Sequence, residues 1–155
     1  MIRRGAHADV TFMRSMLAHA YHWRVAGLDA PIPLARYTEN WGREGDVAVI
    51  AVDHGHPVGA AWLRKFRASS PGYGFVDDQT AEMTISVVPS RRGHGLGQEL
   101  LDALVERARA AGWQAVSLSV EAESPAVGFY ERNGFEEVGE SHGGLTMKLD
   151  LSEPE

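Results

Sequence analysis

The sequence has no cysteine among its 155 residues, which excludes disulfides, thiolate zinc sites and a cysteine nucleophile. It has no apolar run of the 18 or more residues that a transmembrane helix needs. The N-terminus, Met1-Ile2-Arg3-Arg4-Gly5, lacks the apolar core of a signal peptide. Positive charge is also in short supply. Fifteen Lys and Arg stand against 21 Asp and Glu, a net charge of −6, whereas a general nucleic-acid binder presents a basic face. There is no internal repeat, low-complexity segment or interdomain linker. The expectation is a soluble cytoplasmic protein with no membrane or nucleic-acid partner. It reads as one domain over residues 1–151 with a polar tail at 152–155. At this size a chain buries roughly 70% of its unfolded surface and needs no staples.

What is present is glycine, 17 residues, above the usual share of about 7%, and several of these cluster at one place. Charge is uneven too. Residues 68–90 hold Asp77, Asp78 and Glu82 and no base, and Arg91 and Arg92 follow directly. One reading is a solvated, unevenly charged surface. The other is an anion site beside a site that welcomes cations.

The pattern of apolar residues predicts the elements. Ile2 to Arg4 reads as a short strand. Asp9 is placed to cap a helix carrying Val10, Met13, Met16, Leu17 and Ala20 at helical spacing and running to about Arg24. After Gly27 and the Pro31/Pro33 pair, a second helix is expected over Leu34 to Arg43. Val47 to Val52 and Val58 to Leu63 form a hairpin around Asp53-His54-Gly55-His56. Residues 67–79 form a loop. Ala81 to Val88 is a central strand with Met83, Ile85 and Val87 on one face, stopped by Pro89. Leu96, Leu100, Leu101, Leu104, Val105 and Ala108 mark an amphipathic helix with Gly112 as its C-cap. Val116, Leu118 and Val120 alternate as a strand. Ser124-Pro125 then opens a short helix to about Arg132, with serine as N-cap and proline at the first helical position. Phe135 to Gly139 and Thr146 to Leu151 close the chain as an antiparallel pair. The fold class is α/β, a mixed sheet of about six to seven strands with about four helices. The strands on either side of the long helix should be parallel by the crossover rule.

Arg91-Arg92-Gly93-His94-Gly95-Leu96-Gly97 lies between the central strand and that helix. A helix N-terminus carries unpaired N–H groups and partial positive charge, and glycines let a phosphate approach the backbone. A plain tight turn would need neither two arginines nor three alternating glycines. A P-loop is excluded, since no Gly-Lys-Ser/Thr follows. A dinucleotide fingerprint needs G-x-G-x-x-G, whereas G-x-G-x-G stands here, although Glu121 or Glu123 could serve as the ribose-binding acid. The third possibility is a coenzyme A pyrophosphate site.

The stretch Val88-Pro89-Ser90-Arg91-Arg92-Gly93-His94-Gly95-Leu96-Gly97 resembles the acetyl-CoA-binding motif of the GNAT superfamily of N-acetyltransferases, Arg/Gln-x-x-Gly-x-Gly/Ala, with Arg92, Gly95 and Gly97 at the named positions. Ser124-Pro125-Ala126-Val127-Gly128-Phe129-Tyr130-Glu131-Arg132-Asn133-Gly134-Phe135 resembles a second GNAT motif, with Ser124 where asparagine is usual. The resemblance spans nearly the whole chain. It implies acetyl transfer from acetyl-CoA to a primary amine on a small molecule or peptide, and a homodimer by family habit. It places CoA phosphates on the N–H groups of Arg92, Gly93, His94, Gly95, Leu96 and Gly97. It implies a strand that splays at a bulge near Ser86–Val88, where Val87 or Val88 offers an N–H to the thioester carbonyl. The asparagine position contacts the pantetheine in the family; Ser124 could bond there or merely cap the helix.

The reaction needs an amine stripped of its proton, a stabilised oxyanion and a proton for the departing thiolate. By resemblance Tyr130 is the candidate general acid; a tyrosine with its ordinary pKa of about 10 stays protonated at neutral pH and can protonate a thiolate. Glu82 matches a position where some members carry a glutamate base acting through water. Asp77 and Asp78 are alternatives, or attract a cationic amine. His19/His22 and His54/His56 are pairs without an evident third ligand, so no metal is expected. Trp23, Trp41, Trp62, Tyr73 and Phe75 read as core or loop anchors; by resemblance Trp23 and Tyr73 border the acceptor pocket. A non-catalytic acyl-CoA-binding module is the alternative function, with a dinucleotide-dependent oxidoreductase third.

Overall fold

The computed structural model describes residues 1–21 and 32–151. The end of the first predicted helix, His22, Trp23, Gly27, Pro31 and the polar tail lie outside the described residues. The sequence elements fall in the expected order: β1 (Ile2–Arg4), α1 (Val10–Ala20), β2 (Val47–Asp53), β3 (His56–Arg64), β4 (Thr80–Val87), α2 (Leu96–Ala110), β5 (Ala115–Glu121), α3 (Ala126–Arg132), β6 (Glu136–Ser141) and β7 (Gly144–Asp150). They build one seven-stranded mixed sheet in the order β1-β2-β3-β4-β5-β7-β6. The β4–α2–β5 crossover makes the single parallel pair among the described residues, as the crossover rule requires.

Both hairpins turn on residues in the left-handed region, His54-Gly55 (φ +52° and +80°) and His142-Gly143 (+53° and +86°). That backbone matches the right-handed twist of the strands it joins. The second turn extends β6 and β7 toward each other beyond the predicted bounds of Phe135 to Gly139 and Thr146 to Leu151.

The expected helix over Leu34 to Arg43 is a correction. Only a 3₁₀ turn at Leu34–Tyr37 forms. The carbonyls that would continue an α-helix are taken by side chains of β3: Trp62 Nε1 donates to Tyr37 O (3.1 Å), and Arg64 Nη1 donates to Arg36 O (3.1 Å) and Glu39 O (2.6 Å). Three α-helices are therefore seen among the described residues. Asp9 also differs in detail. It precedes α1, but its carboxylate turns back to accept from Ala6 N–H and the Arg3 guanidinium. Pro125, not Ser124, is the N-cap of α3, although Ser124 Oγ still accepts from Ala126 N–H at 3.1 Å.

Two cores form, one on each side of the sheet. Under α2 lie Val49, Ala51, Ala61, Leu63, Met83, Val116, Leu118 and Met147 with Leu100, Leu101 and Leu104. Under α1 lie Ala48, Ile50, Ala60 and Trp62 with Met13, Met16 and Leu17. The alternation of strand residues assigns each to its face. On β4 it sends Ala81 and Met83 to the α2 side, and buried Thr80, Glu82, Thr84 and Ser86 to the other.

Candidate active site

The site begins where two strands part. β4 pairs with β5 only over Thr80–Glu82 and Ala115–Ser117, while β4 keeps its register with β3 from Glu82 to Val87. The expected splay near Ser86–Val88 is therefore a longer opening, starting just past Glu82. Val88 N–H donates to Val58 O at 2.8 Å. Strand amides alternate in direction, so Val87 N–H points the opposite way, toward the gap left by β5. Of the two donors considered, Val88 is already engaged and Val87 faces the opening.

A cavity of about 350 Å³ fills this gap. Val87, Arg92, Gly97, Ser124 and Tyr130 line it together. Tyr21 and His19 close it from α1, and Thr84, Ser86, Ser119 and Glu121 supply polar walls. Gly93, His94 and Gly95 lie outside the lining, on the exposed turn before α2, and Leu96 is half-buried against the α2-side core.

The glycine turn leaves the start of α2 bare. Gly93 and Gly95 adopt φ of +83° and +81°, a region that side chains rarely tolerate. A Cβ at either would meet nothing within 4 Å, and one at Gly97 would meet only Phe129 at 4.0 Å. No side chain caps the helix, so its first N–H groups have no partner from within the helix. Arg91 pairs with Asp53 at 2.9 Å. Arg92 makes no ion pair among the described residues; its Nε donates to Val87 O at 3.1 Å, which sets its guanidinium at the cavity. A bare helix N-terminus, an open cradle and an uncommitted arginine fit an anionic pyrophosphate.

Tyr130 is held by edge contacts with Phe129 (5.2 Å) and Phe135 (5.5 Å). Burial pushes its phenol well above the ordinary value, so it is protonated at neutral pH. The helix carrying it is tied to α2: Gln98 Nε2 donates to Asn133 Oδ1 (2.7 Å), and Asn133 Nδ2 donates to Phe129 O (2.8 Å). Sequence reasoning assigned Gln98 and Asn133 no such part. Their role depends on a contact 35 residues apart.

Glu82 is buried and is not part of the cavity wall. The Tyr37 hydroxyl donates to its Oε2. The loop at Gly72 covers it; a Cβ there would overlap the Glu82 carboxylate and stand 2.8 Å from Tyr37 Oη. Asp77 and Asp78 are exposed and outside the cavity, and Asp77 Oδ1 instead accepts from Gln79 N–H and Thr80 Oγ1. Tyr73, by contrast, is not among the residues lining the cavity; it is buried against Tyr21 and edge-on to His142. No cluster of three or more His, Asp or Glu that could hold a metal occurs among the described residues. Among the same residues, no helix is long and apolar enough to cross a membrane.

The sequence profile of the acetyltransferase (GNAT) family matches residues 12–135. The chain belongs to the GNAT acetyltransferase family. Acetyl-CoA is the cosubstrate of that family. An L-methionine sulfoximine/L-methionine sulfone acetyltransferase from Pseudomonas aeruginosa is 34% identical over 117 residues, covering 72% of this chain and 65% of that protein. The chain thus spans just under two thirds of that relative's length. A ribosomal-protein-alanine N-acetyltransferase from Brucella melitensis superposes with a TM-score of 0.72 at 27% identity, over 97% of this chain and 99% of that one. A phosphinothricin acetyltransferase from Sinorhizobium meliloti, solved in complex with acetyl-CoA, gives a TM-score of 0.72 at 22% identity, over 100% and 92% of the chains. That last likeness is one of fold.

Proposed function

We propose that this GNAT chain transfers an acetyl group from acetyl-CoA to a primary amine, by direct attack in a ternary complex. The observation that carries the reading is the meeting of Val87, Arg92, Gly97 and Tyr130 in one cavity at the parting of β4 and β5. Acetyl-CoA supplies the activated acetyl group. The chain supplies the rest. The first N–H groups of α2 and Arg92 hold the pyrophosphate. Val87 N–H stands where a donor can stabilise the oxyanion. Tyr130, a protonated phenol at the cavity wall, donates a proton to the departing thiolate. The buried carboxylate of Glu82 takes the proton of the amine. Ser124 Oγ accepts from Ala126 N–H while the residue lines the cavity, so it can both steady the start of α3 and meet the cofactor.

The relative that acts on methionine sulfoximine and sulfone favours a small α-amino acid as acceptor. The test is thiol release with acetyl-CoA and a panel led by L-methionine sulfone, followed by other amino acids, aminoglycosides, peptide N-termini and lysine peptides. Tyr130→Phe is expected to bind acetyl-CoA as the wild type does while kcat falls about 100-fold. A non-catalytic module would bind acetyl-CoA and turn over no amine in either form. A preference for NAD over acetyl-CoA would sink the acetyltransferase reading.

A further inference from the structure

Tyr130 sits on a helix of only seven residues, and a helix that short takes its placement from what it packs against. Placement matters there, because a misplacement of about 1 Å at a reacting group can cost about 100-fold in rate. A pair of side-chain amides ties this helix to the glycine turn. Gln98 is the third residue of α2, next to Gly97 on the cavity wall, and Asn133 directly follows α3. Gln98 Nε2 donates to Asn133 Oδ1 at 2.7 Å, and Asn133 Nδ2 donates back to Gln98 Oε1 at 3.3 Å. The remaining amide hydrogens are used as well. Gln98 Nε2 also donates to Asp102 Oδ1 at 2.9 Å, and Asn133 Nδ2 to Phe129 O at 2.8 Å. We propose that Gln98 and Asn133 are positioning residues for Tyr130: their amide clasp carries the placement of the cofactor-binding turn to the phenol that protonates the departing thiolate. The inference rests on the acetyltransferase reading and adds to it the means by which acid and cofactor are held in register.

The clasp has one orientation. A carboxylate and a backbone carbonyl only accept hydrogen bonds, so Asp102 turns the Gln98 amide nitrogen toward itself and Phe129 O does the same to Asn133. Flipping either amide would set oxygen against oxygen at two contacts. The path from cofactor to acid is short. The first N–H groups of α2 hold the pyrophosphate, Gln98 stands on that same turn, and Asn133 grips the carbonyl of the residue before Tyr130. Phe129 also approaches the turn directly, since a Cβ at Gly97 would stand 4.0 Å from its ring, and that ring packs edge-on against Tyr130. Gln98 and Asp102 are exposed and Asn133 is half-buried, so these bonds replace bonds to water and add little to stability. Their orientation is what distinguishes them. Neither amide belongs to the cavity wall, so each acts through Tyr130 and not on the substrate.

Gln98→Leu removes the clasp from an exposed position with a residue that suits a helix. Gln98→Glu keeps the shape but sets an acceptor against Asp102 and Asn133 Oδ1. With L-methionine sulfone, or the panel amine that the wild type acetylates fastest, each should lower kcat about tenfold. The KM for acetyl-CoA should stay within about twofold, because the backbone N–H groups that hold the pyrophosphate remain, and the thermal midpoint should not move. Asn133→Ala should behave alike, and its combination with Gln98→Leu should be no slower than Asn133→Ala alone, since both break one link. The deciding measurement places Gln98→Leu in a Tyr130→Phe background. With no phenol to position, the substitution should there change kcat by less than about twofold. A wild-type kcat in both Gln98 variants, or the same tenfold loss with and without the Tyr130 hydroxyl, would overturn the clasp. The Gln98 variants decide the matter even where Asn133→Ala fails to fold. A wild type that acetylates no amine, or a fully active Tyr130→Phe, removes the acid and the clasp with it; a slow Tyr130→Phe beside unimpaired Gln98 variants removes the clasp alone.

Discussion

The face of the sheet beneath α1 changes character half-way across. Over β2 and β3 it is Ala48, Ile50, Ala60 and Trp62, all buried and apolar. Over β4 and β5 it is Thr80, Glu82, Thr84, Ser86 and Ser117, equally buried but polar. Burying hydroxyls and a carboxylate is costly unless they find partners, and packing alone would favour the apolar half throughout. The polar half is also where β4 and β5 part and where the cavity lies. Under the proposed function, one half of the face serves stability and the other serves chemistry. The α2 side of the same strands stays apolar and keeps β4 in place.

The largest effect is expected in the apolar half. Trp62→Ala should cost about 4 kcal/mol in chemical denaturation, because the ring is fully buried and its Nε1 holds Tyr37 O. If β4 and β5 carry the site, acetyl-CoA affinity of the folded protein should change by less than about twofold. The converse perturbation is Arg92→Ala. Calorimetry should show acetyl-CoA binding weakened about tenfold, equivalent to about 1.4 kcal/mol, with the denaturation midpoint unchanged. An equal loss of binding in both variants would erase the division.

How the sequence announced these halves differs. The apolar half was legible, since the continuous apolar runs Val47–Val52 and Val58–Leu63 on either side of Asp53-His54-Gly55-His56 read as a buried hairpin. The glycine turn and Tyr130 were legible from motif and spacing, and Arg92, Gly97 and Tyr130 reach the cavity. What could not be read was the segment from Leu34 to Asp46. Its helical pattern yields to Trp62 and Arg64, whose hydrogen bonds come from residues about 25 positions away. The buried Arg64–Asp46 pair, 2.8 Å apart, and the Tyr37–Glu82 contact are tertiary for the same reason. One signal was available. Thr80, Glu82, Thr84 and Ser86 alternate with apolar residues in a strand with neighbours on both sides, where a polar face lies beneath other elements and not in water.

The smallest expected effect concerns the helix that roofs both halves. Arg3 and Asp9 tie β1 to the start of α1 through two hydrogen bonds of 2.9 and 2.8 Å. The Arg3 guanidinium holds the Asp9 carboxyl below its ordinary range. A depressed folded-state pKa means stabilisation that is complete above the unfolded value, near 4, and lost as pH falls through the folded one. Arg3 is 43% exposed, and solvent screening discounts the pair, so Asp9→Asn should cost about 1 kcal/mol at pH 7. Denaturation across pH should show that difference fading below about pH 4. A difference independent of pH would contradict a role for the Asp9 charge, since both the Arg3 and the Ala6 N–H bonds favour the ionised carboxyl.

The most direct test of the division is acetyl-CoA titration of Gly97→Leu beside the wild type, with thermal unfolding of both. Gly97 lies in the first turn of α2 with room for a side chain, since a Cβ meets only Phe129 at 4.0 Å. Leucine also suits a helix better than glycine does, by roughly 0.5–1 kcal/mol. The account predicts a variant at least as stable as the wild type whose acetyl-CoA affinity falls about 100-fold, a loss of about 2.7 kcal/mol. Unchanged affinity in a stable Gly97→Leu protein would contradict it, because the cofactor would then lie elsewhere than over the bare start of α2.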